Sequence, residues 1–379
     1  MNILIQQPRV PHYRIPLFQR IVETHRWHLT VVYTPSEKSG ESGLECANLS
    51  RVASRLRLEA LPIRVLRIGS LQWKYQVGLL QQVRQRHWDG IFIEGAQANL
   101  SGFLAALWCR RRRIPCIWWG KGYFGSQPFY RRWINRLQLK IPDAFLPYGD
   151  TTHQFLVEHG VNPARIVSAY NTVDIESLVS RHKSLAEWGH SLIQQIGWHE
   201  HRPLVISVGR IIPAKRVHDV CQAIATLNKR GMKLFLLVVG DGPDRSRCEA
   251  IVQELGIGQQ VHFTGRVPED VDSALLTTAD VAVFCGALGL AINQAMALKI
   301  PVVVADLPGP DGEMIEHLRT GWRYPYKDVS QLSETLVQVL TASNREEILS
   351  NAYHEITTKR NLQSYANAFA QALQVAQRR

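Results

Sequence analysis

The fold of this chain is decided by a stretch that reads LVISVGRIIPAKR at 204–216, LLVVGDGPD at 236–244, VHFTGRV at 261–267 and ADVAVFCGALGLAINQAMALKIPVVVAD at 279–306. Apolar strands are predicted here at 204–208, 234–239 and 281–284, and each runs into a turn of glycine and cationic or small residues before a helical pattern. Such turns present backbone N–H groups and helix N-termini to phosphate. Because Arg210 and Lys215 add full positive charges, the stretch predicts a parallel α/β unit that binds a nucleotide diphosphate conjugate.

The order of these motifs resembles the nucleotide-sugar half of the retaining glycosyltransferases of family 4 (glycosyl transferases group 1), of the type that builds bacterial surface polysaccharides. The resemblance rests on GR-x4-K at 209–215, GDGP at 240–243, TGRV at 264–267 and GLAINQAMA-x3-PVV at 289–303. It covers the last half of the chain, and RVPHYRIPLF at 9–18 and NTVD at 171–174 support it upstream. It implies an α/β protein with the GT-B fold, in which two Rossmann-like, doubly wound parallel-sheet domains face each other across a cleft.

The chain is long enough for two domains of ordinary size. We predict an acceptor-binding Rossmann-like domain at 1–175, a nucleotide-sugar-binding Rossmann-like domain at 176–345 and C-terminal helices at 346–379, the last of which, by the resemblance, crosses back to the first domain. In the first domain we expect strands at 3–6, 29–33, 90–94, 116–119 and 144–146, and helices at 15–24, 72–86, 100–111 and 129–139. The region 36–60 is predicted to be a flexible loop.

The net charge of +12 lies entirely in the first half of the chain. Residues 1–175 hold 23 Lys and Arg against 11 Asp and Glu, whereas residues 176–379 hold 21 of each kind. A basic half favours an acidic partner, either a membrane surface or nucleic acid. RRRR at 110–113 and YRRW at 130–133 combine cations with aromatic residues, which favours an anionic bilayer, although the four arginines alone fit a solvated helix end equally well. We therefore expect a cytoplasmic protein, peripheral on the inner face of the cell membrane, with no nucleic acid partner.

Neither a metal ion nor an organic cofactor is predicted. The D-x-D triplet Asp270-Val271-Asp272 follows Pro268 at a predicted helix start, where acids are favoured as caps. GDGP at 240–243 lacks the G-x-G-x2-G spacing of a dinucleotide fingerprint, and the six cysteines form no C-x2-C pair. The nucleoside diphosphate sugar, UDP- or GDP-linked, is expected to be a substrate.

Arg210 and Lys215 are the predicted catalytic residues. Cations are disfavoured near a helix N-terminus, so two of them there indicate a bound phosphate, and both could stabilise the charge on a departing nucleoside diphosphate. The donor-binding residues implied by the motifs and the resemblance are Gly209, Gly240, Gly242, Gly265, Arg266, Val267, Gly286, Ala287, Leu288, Gly289, Leu290, Gln294 and Glu313. Glu313 fits a helix N-terminal acid without a ligand equally well.

The chain departs from the family at 286–294. Members usually have two glutamates eight positions apart, the first near the donor sugar and the second on the nucleotide ribose, and here these positions are Gly286 and Gln294. The Gln294 amide keeps a donor and an acceptor for ribose hydroxyls, and the turn at 286–289 keeps backbone N–H groups for phosphate. Donor binding is thus expected to survive the departure better than sugar selectivity.

The residues that follow two of the N-terminal strands are predicted to bind the acceptor or the sugar: Pro8, His12, Tyr13, Arg14 and Lys121. Arg14 opens a helix, which is again an unfavourable place for a cation. His12 could serve as a general base, although a lone His in a loop is more often simply polar. Similar proteins often have His where Lys121 stands.

Together, the residues and the resemblance predict a metal-independent, hexosyltransferase-like glycosyltransferase. It would move a sugar from a nucleoside diphosphate sugar to a lipid-linked or other envelope glycan acceptor with retention of configuration, in polysaccharide or lipopolysaccharide biosynthesis. Three alternatives stay open. The first is a non-catalytic homologue that binds sugar nucleotide or glycan, suggested by Gly286, and the second is a sugar-nucleotide epimerase on the same fold. A nucleic-acid binder ranks third, because the chain is basic but has no recognised motif for reading nucleic acid.

Overall fold

The computed structural model describes residues 1–7, 10–35, 54–68, 71–95, 99–122, 136–196, 198, 202–307 and 312–378. The chain forms two compact units. The first consists of Met1–Asp174 together with Asn361–Arg379, and the second consists of Ile175–Arg360. The chain thus leaves the first unit after Asp174 and returns to it for its last helix.

A six-stranded parallel sheet forms the centre of the first unit. In spatial order its strands are β3 (Leu56–Ala60), β2 (His28–Tyr33), β1 (Asn2–Gln6), β6 (Gly90–Glu94), β7 (Cys116–Gly120) and β8 (Ala144–Pro147). The described helices of this unit are α1 (Ile15–His25), α2 (Leu79–Gln85), α3 (Leu100–Arg112), α4 (Asp150–Glu158) and α13 (Leu362–Gln377). Two clusters of buried apolar side chains include residues of these strands, as expected for parallel strands covered on both faces.

Three strands of the first unit correct the sequence prediction. β4 (Ile63–Ile68) and β5 (Leu71–Gln76) form an antiparallel ribbon, where a helix was predicted from 72 to 86. The sequence of β5 alternates apolar and polar residues, and this period of two decides the structure until α2 begins at Leu79. β3 lies within the predicted flexible loop, and residues 36–53 of that loop and 129–135 of another predicted helix fall outside the described residues.

The last helix, α13, completes the core of the first unit. Asn361 caps its start, because the side chain accepts a hydrogen bond from the Ser364 N–H at 2.8 Å. Tyr365 OH accepts a hydrogen bond from Trp119 Nε1 at 2.9 Å, and the Phe369 side chain is fully buried. The helix is therefore held by a cap at its start and by aromatic contacts along its buried face.

The second unit is also built on a six-stranded parallel sheet. Its strands in spatial order are β11 (Val261–Gly265), β10 (Phe235–Val239), β9 (Leu204–Val208), β12 (Val281–Phe284), β13 (Val302–Asp306) and β14 (Trp322–Pro325). Its described helices are α5 (Ile175–Ser180), α6 (His182–Gln195), α7 (Val217–Lys229), α8 (Arg245–Glu254), α9 (Glu269–Leu276), α10 (Ala291–Ala297), α11 (Val329–Thr341) and α12 (Arg345–Thr358). The predicted architecture of two α/β units with parallel sheets is confirmed.

Candidate functional site

The strand order of the second unit creates a switch point between β9 and β12. The chain proceeds from β9 outward through β10 to β11, and then crosses back to β12 and continues through β13 to β14. The loops that follow β9 and β12 therefore run in opposite directions. In open parallel sheets the crevice between two such loops, at the carboxyl ends of the strands, is where ligands bind.

The loop after β9 is tied to the loop after β10. The Ile211 N–H donates to the Asp241 carbonyl at 2.9 Å, and the Asp244 N–H donates to the Ile211 carbonyl at 3.2 Å. A Cβ on Gly240 or Gly242 would lie only 2.1 Å from a carbonyl oxygen of the β9 loop. These two predicted donor-binding glycines are therefore required for the close packing of the loops.

The ammonium group of Lys215 lies at the switch point. A Cβ built on Gly209, after β9, would lie 2.8 Å from Lys215 Nζ, and one built on Gly289, after β12, would lie 3.0 Å from it. Lys215 ends a short 3-10 turn, Pro213–Lys215, and is half-buried. Arg210 is exposed directly after Gly209. The structure thus brings the Lys215 cation to the backbone of two glycines, which is an arrangement suited to a phosphate.

The loop after β12 rests directly on the turn that carries Lys215. The Ala287 N–H donates to the Ala214 carbonyl at 2.9 Å, so this N–H is engaged within the protein, which corrects the expectation that it binds phosphate. A Cβ on Gly286 would lie 2.1 Å from the same carbonyl oxygen and 2.9 Å from Lys215 Cα. On this backbone, residue 286 therefore has no room for the glutamate that resembling proteins usually have there.

Gln294 is buried on α10. It is 7% exposed, and its Nε2 donates to Ser273 Oγ at 3.4 Å. This hydrogen bond holds the Gln294 amide group inside the second unit. The predicted hydrogen bond to the nucleotide ribose would need the same amide group.

The other predicted donor-binding residues lie in loops at the carboxyl edge of the sheet. Arg266 is exposed and Val267 is half-buried after β11, and Leu288 and Leu290 are half-buried after β12. Glu313 is half-buried in the 3-10 turn Gly312–Met314, and residues 308–311 before it lie outside the described part of the chain. A ligand role for each of these residues stays a prediction.

The D-x-D triplet lies in the first turn of α9. Asp270 forms an ion pair with Arg181 at 2.8 Å, which fits the predicted place of these acids at a helix start. Within the described ranges, no three His, Cys, Asp or Glu side chains are grouped so that they could hold a metal ion.

Three predicted acceptor-binding residues follow strands of the first sheet. His12 is exposed and Tyr13 is half-buried in the 3-10 turn His12–Arg14, which follows β1. Lys121 is exposed directly after β7. Pro8 lies outside the described residues. β1 and β7 are parallel, so these side chains belong to the same edge of the sheet.

Arg14 is buried, which corrects the expectation of a cation that faces a ligand. It is 3% exposed, and its guanidinium donates to Tyr365 OH at 3.0 Å and to Tyr148 OH at 2.9 Å. It also lies 5.0 Å from the ring centroid of Trp119, within cation–π range. Arg14 therefore joins α13 to the sheet.

Glu94, at the carboxyl end of β6, was missed by the sequence reasoning. β6 and β1 flank the switch point of the first sheet. Burial raises the pKa of the Glu94 carboxyl to about 7, against the lowering effect of Lys74. The strand end is held firmly, because Gln6 Oε1 accepts hydrogen bonds from the Glu94 N–H at 3.1 Å and from Asn99 Nδ2 at 2.9 Å. A carboxyl group of this pKa can exchange a proton near neutral pH.

A basic surface surrounds the C-terminal end of α3. The four arginines at 110–113 are exposed, and the guanidinium groups of Arg84 and Arg112 lie 4.4 and 5.0 Å from the Trp108 ring centroid. Leu107 on the same helix is 41% exposed. The predicted cluster at 130–133 lies outside the described residues. None of the helices that the structure describes has the length and apolar character needed to cross a membrane.

Comparison with known proteins matches residues 190–355 to the family Glycosyl transferases group 1. The chain is 27% identical over 157 residues to the alpha-D-kanosaminyltransferase of Streptomyces kanamyceticus, which covers 40% of each chain. It is 24% identical over 243 residues to the putative colanic acid biosynthesis glycosyltransferase WcaL of Salmonella typhimurium, which covers 61% of this chain and 56% of that protein. The matches thus span less than two thirds of these relatives.

Among solved structures, the chain is similar to Anabaena Alr3699/HepE in complex with UDP and glucose. The TM-score is 0.75 over 99% of both chains, at 16% sequence identity. At this identity the likeness establishes the fold, and together with the two parallel-sheet units it confirms the GT-B class. The matched family and both relatives are glycosyltransferases by name.

Proposed function

We propose that the protein is a glycosyltransferase that moves a sugar from a nucleoside diphosphate sugar to a lipid-linked or other envelope glycan acceptor. The observation that carries the proposal is the position of Lys215 Nζ beside Gly209 and Gly289, at the switch point of the second unit. The group 1 match over 190–355 and the glycosyltransferase relatives support it. The UDP and glucose held by the Anabaena structure support a sugar nucleotide as donor.

In the proposed reaction, the bond between C1 of the sugar and the diphosphate oxygen breaks, and a bond forms between C1 and an acceptor hydroxyl oxygen. The hydroxyl proton passes to the departing diphosphate, so attack comes from the face that the diphosphate leaves and the configuration is retained. Lys215 and Arg210 stabilise the negative charge that develops on the diphosphate. In this role the two cations take the place of a metal ion.

The first unit would bind the acceptor at the carboxyl edge of its sheet. His12, Tyr13 and Lys121 lie at this edge, and their hydroxyl, imidazole and ammonium groups suit a glycan or its phosphate. Glu94 lies at the end of β6 on the same edge and can take up or release a proton near neutral pH.

UDP or GDP is expected to bind the full-length protein without a divalent metal ion, because cations of the protein neutralise the diphosphate. Isothermal titration calorimetry in EDTA, repeated with Mg²⁺, measures this. The dissociation constant should change by no more than about threefold between the two conditions, a difference of roughly 0.6 kcal/mol. Binding that requires Mg²⁺ or Mn²⁺ would overturn this model of the site.

We also propose that the first unit attaches the protein to an anionic membrane. The exposed arginines at 110–113 are joined by Leu107 and by Trp108, a residue type that favours the bilayer interface. The antiparallel ribbon adds Arg64 and Arg67 beside Val65 and Leu66, which are 48% and 44% exposed. Cations with exposed apolar side chains fit the headgroup region of anionic lipids.

Changing Arg111 and Arg113 to Gln should weaken attachment to vesicles that contain phosphatidylglycerol by about tenfold or more, since each cation near the surface contributes about 1 kcal/mol. Liposome co-sedimentation across a salt series measures this. The matched control changes Lys229 and Lys233, two exposed cations of the second unit, to Gln. This control should leave attachment unchanged. Equal binding to neutral and anionic vesicles, or no binding at low salt, would remove the membrane role.

A further inference from the structure

The turn that carries Lys215 ends in a strained backbone conformation. Arg216 has φ 50° and ψ 43°, in the left-handed region that a residue with a Cβ adopts only at a cost in free energy. Arg216 directly follows the 3-10 turn Pro213–Lys215 and directly precedes α7. A conformation of this kind persists only where surrounding contacts hold it.

Asp219 supplies those contacts. Its carboxylate accepts hydrogen bonds from Arg216 Nε at 2.6 Å and from Arg216 Nη2 at 2.7 Å, and the Asp219 N–H donates to the Arg216 carbonyl at 2.9 Å. Asp219 is 1% exposed, so water competes little for its carboxylate. His218 Nε2 lies 3.2 Å from the same carboxylate, but burial lowers the pKa of His218. The imidazole is therefore neutral near pH 7, and the guanidinium supplies the positive charge.

The conformation of Arg216 fixes where Lys215 points. The Arg216 N–H donates to the Pro213 carbonyl at 3.2 Å and the Lys215 N–H donates to the Ile212 carbonyl at 2.9 Å, which closes the turn. If Arg216 relaxed to φ below zero, the path of the chain between the turn and α7 would change. The ammonium group of Lys215 would then leave its position beside the loops after β9 and β12.

We propose that Arg216 and Asp219 are positioning residues for Lys215. Their ion pair stabilises the left-handed residue that directs the Lys215 ammonium toward Gly209 and Gly289. Arg216 acts through the turn and does not itself bind the diphosphate, although it is the adjacent cation in the sequence. The inference rests on the proposed function, because it assumes that Lys215 contacts the diphosphate of the donor.

The test compares two double variants that differ by one methyl group. R216G/D219N and R216A/D219N both remove the ion pair and both charges, but only glycine adopts a φ of about 50° without a steric penalty. UDP binding to the full-length protein is measured by calorimetry. R216G/D219N should bind within about threefold of wild type, and R216A/D219N should bind about tenfold more weakly than R216G/D219N, because its binding-competent turn is less populated.

Two results would overturn the inference. If both double variants bound UDP equally weakly, the Arg216 charge would itself bind the diphosphate. If both bound UDP as tightly as wild type, the ion pair would only stabilise the fold. Thermal melting of the same samples checks folding, and if either double variant is unfolded, R216G and R216A replace the two with the same expected ratio. K215A tests the proposed function separately: UDP binding as tight as wild type in K215A would refute the donor site whatever the double variants show.

Discussion

Replacing Lys215 by alanine is expected to reduce sugar transfer by at least about 100-fold while the protein stays folded. Loss of one group that stabilises charge on a leaving group costs about 3 kcal/mol in the barrier, and each 1.36 kcal/mol is a factor of about ten in rate. Because Lys215 is a half-buried loop residue whose loss opens no core cavity, the free energy of unfolding should change by no more than about 0.5 kcal/mol. Turnover of radiolabelled UDP- and GDP-sugars with membrane extract as the acceptor source measures the effect.

The matched control is Lys233→Ala. Lys233 is an exposed lysine of the same unit that precedes β10, at the opposite edge of the sheet from the switch point. This variant should transfer sugar at the wild-type rate. If Lys215→Ala also retained near-normal turnover, the diphosphate would lie elsewhere and the assignment of the donor site would be wrong.

The sequence predicted the second unit better than the first. Strands β9 and β12 have the predicted bounds of 204–208 and 281–284, because strands buried on both faces are continuous apolar runs. The ribbon of β4 and β5 is different. Its described side chains are exposed or half-buried except for Gln76, and three of them are cationic: Arg64, Arg67 and Lys74. No apolar run therefore marks the ribbon, and its register is set by pairing between the two strands.

Within the site, sequence reasoning located the loops but not the contacts between them. Lys215 was singled out because a cation near a helix start is locally unfavourable, and the same argument was applied to Arg14. The partners of Arg14 are Tyr148 and Tyr365, which lie 134 and 351 positions away, so its burial could not be read from local spacing. The i, i+3 spacing of Arg216 and Asp219 was visible in the sequence, but the left-handed φ that gives this pair its importance was not.

Gly286→Ala is expected to reduce transfer by roughly 5- to 150-fold, so that its upper limit equals the effect of Lys215→Ala. The added Cβ would lie 2.1 Å from the Ala214 carbonyl oxygen, so either the loop after β12 or the turn that carries Lys215 must move. Overpacking of this kind costs about 1–3 kcal/mol in the free energy of the closed arrangement of the two loops. The movement also breaks the hydrogen bond from the Ala287 N–H to the Ala214 carbonyl. UDP calorimetry and the radiolabelled transfer assay measure the loss.

Gly258→Ala is the matched control, because its Cβ would meet only ordinary contacts, at 3.5 Å or more. Gly258→Ala should bind UDP and transfer sugar like wild type. If Gly286→Ala also bound UDP like wild type, the loop after β12 and the turn that carries Lys215 would separate without cost.

Gly286→Glu extends the test to the family residue. The same close contact should make this variant as defective as Gly286→Ala, since a carboxylate cannot reach the donor sugar while its own Cβ displaces Lys215. If Gly286→Glu instead gained turnover over an inactive wild type, the β12 loop would be able to leave the turn, and the non-catalytic reading of the natural chain would be correct.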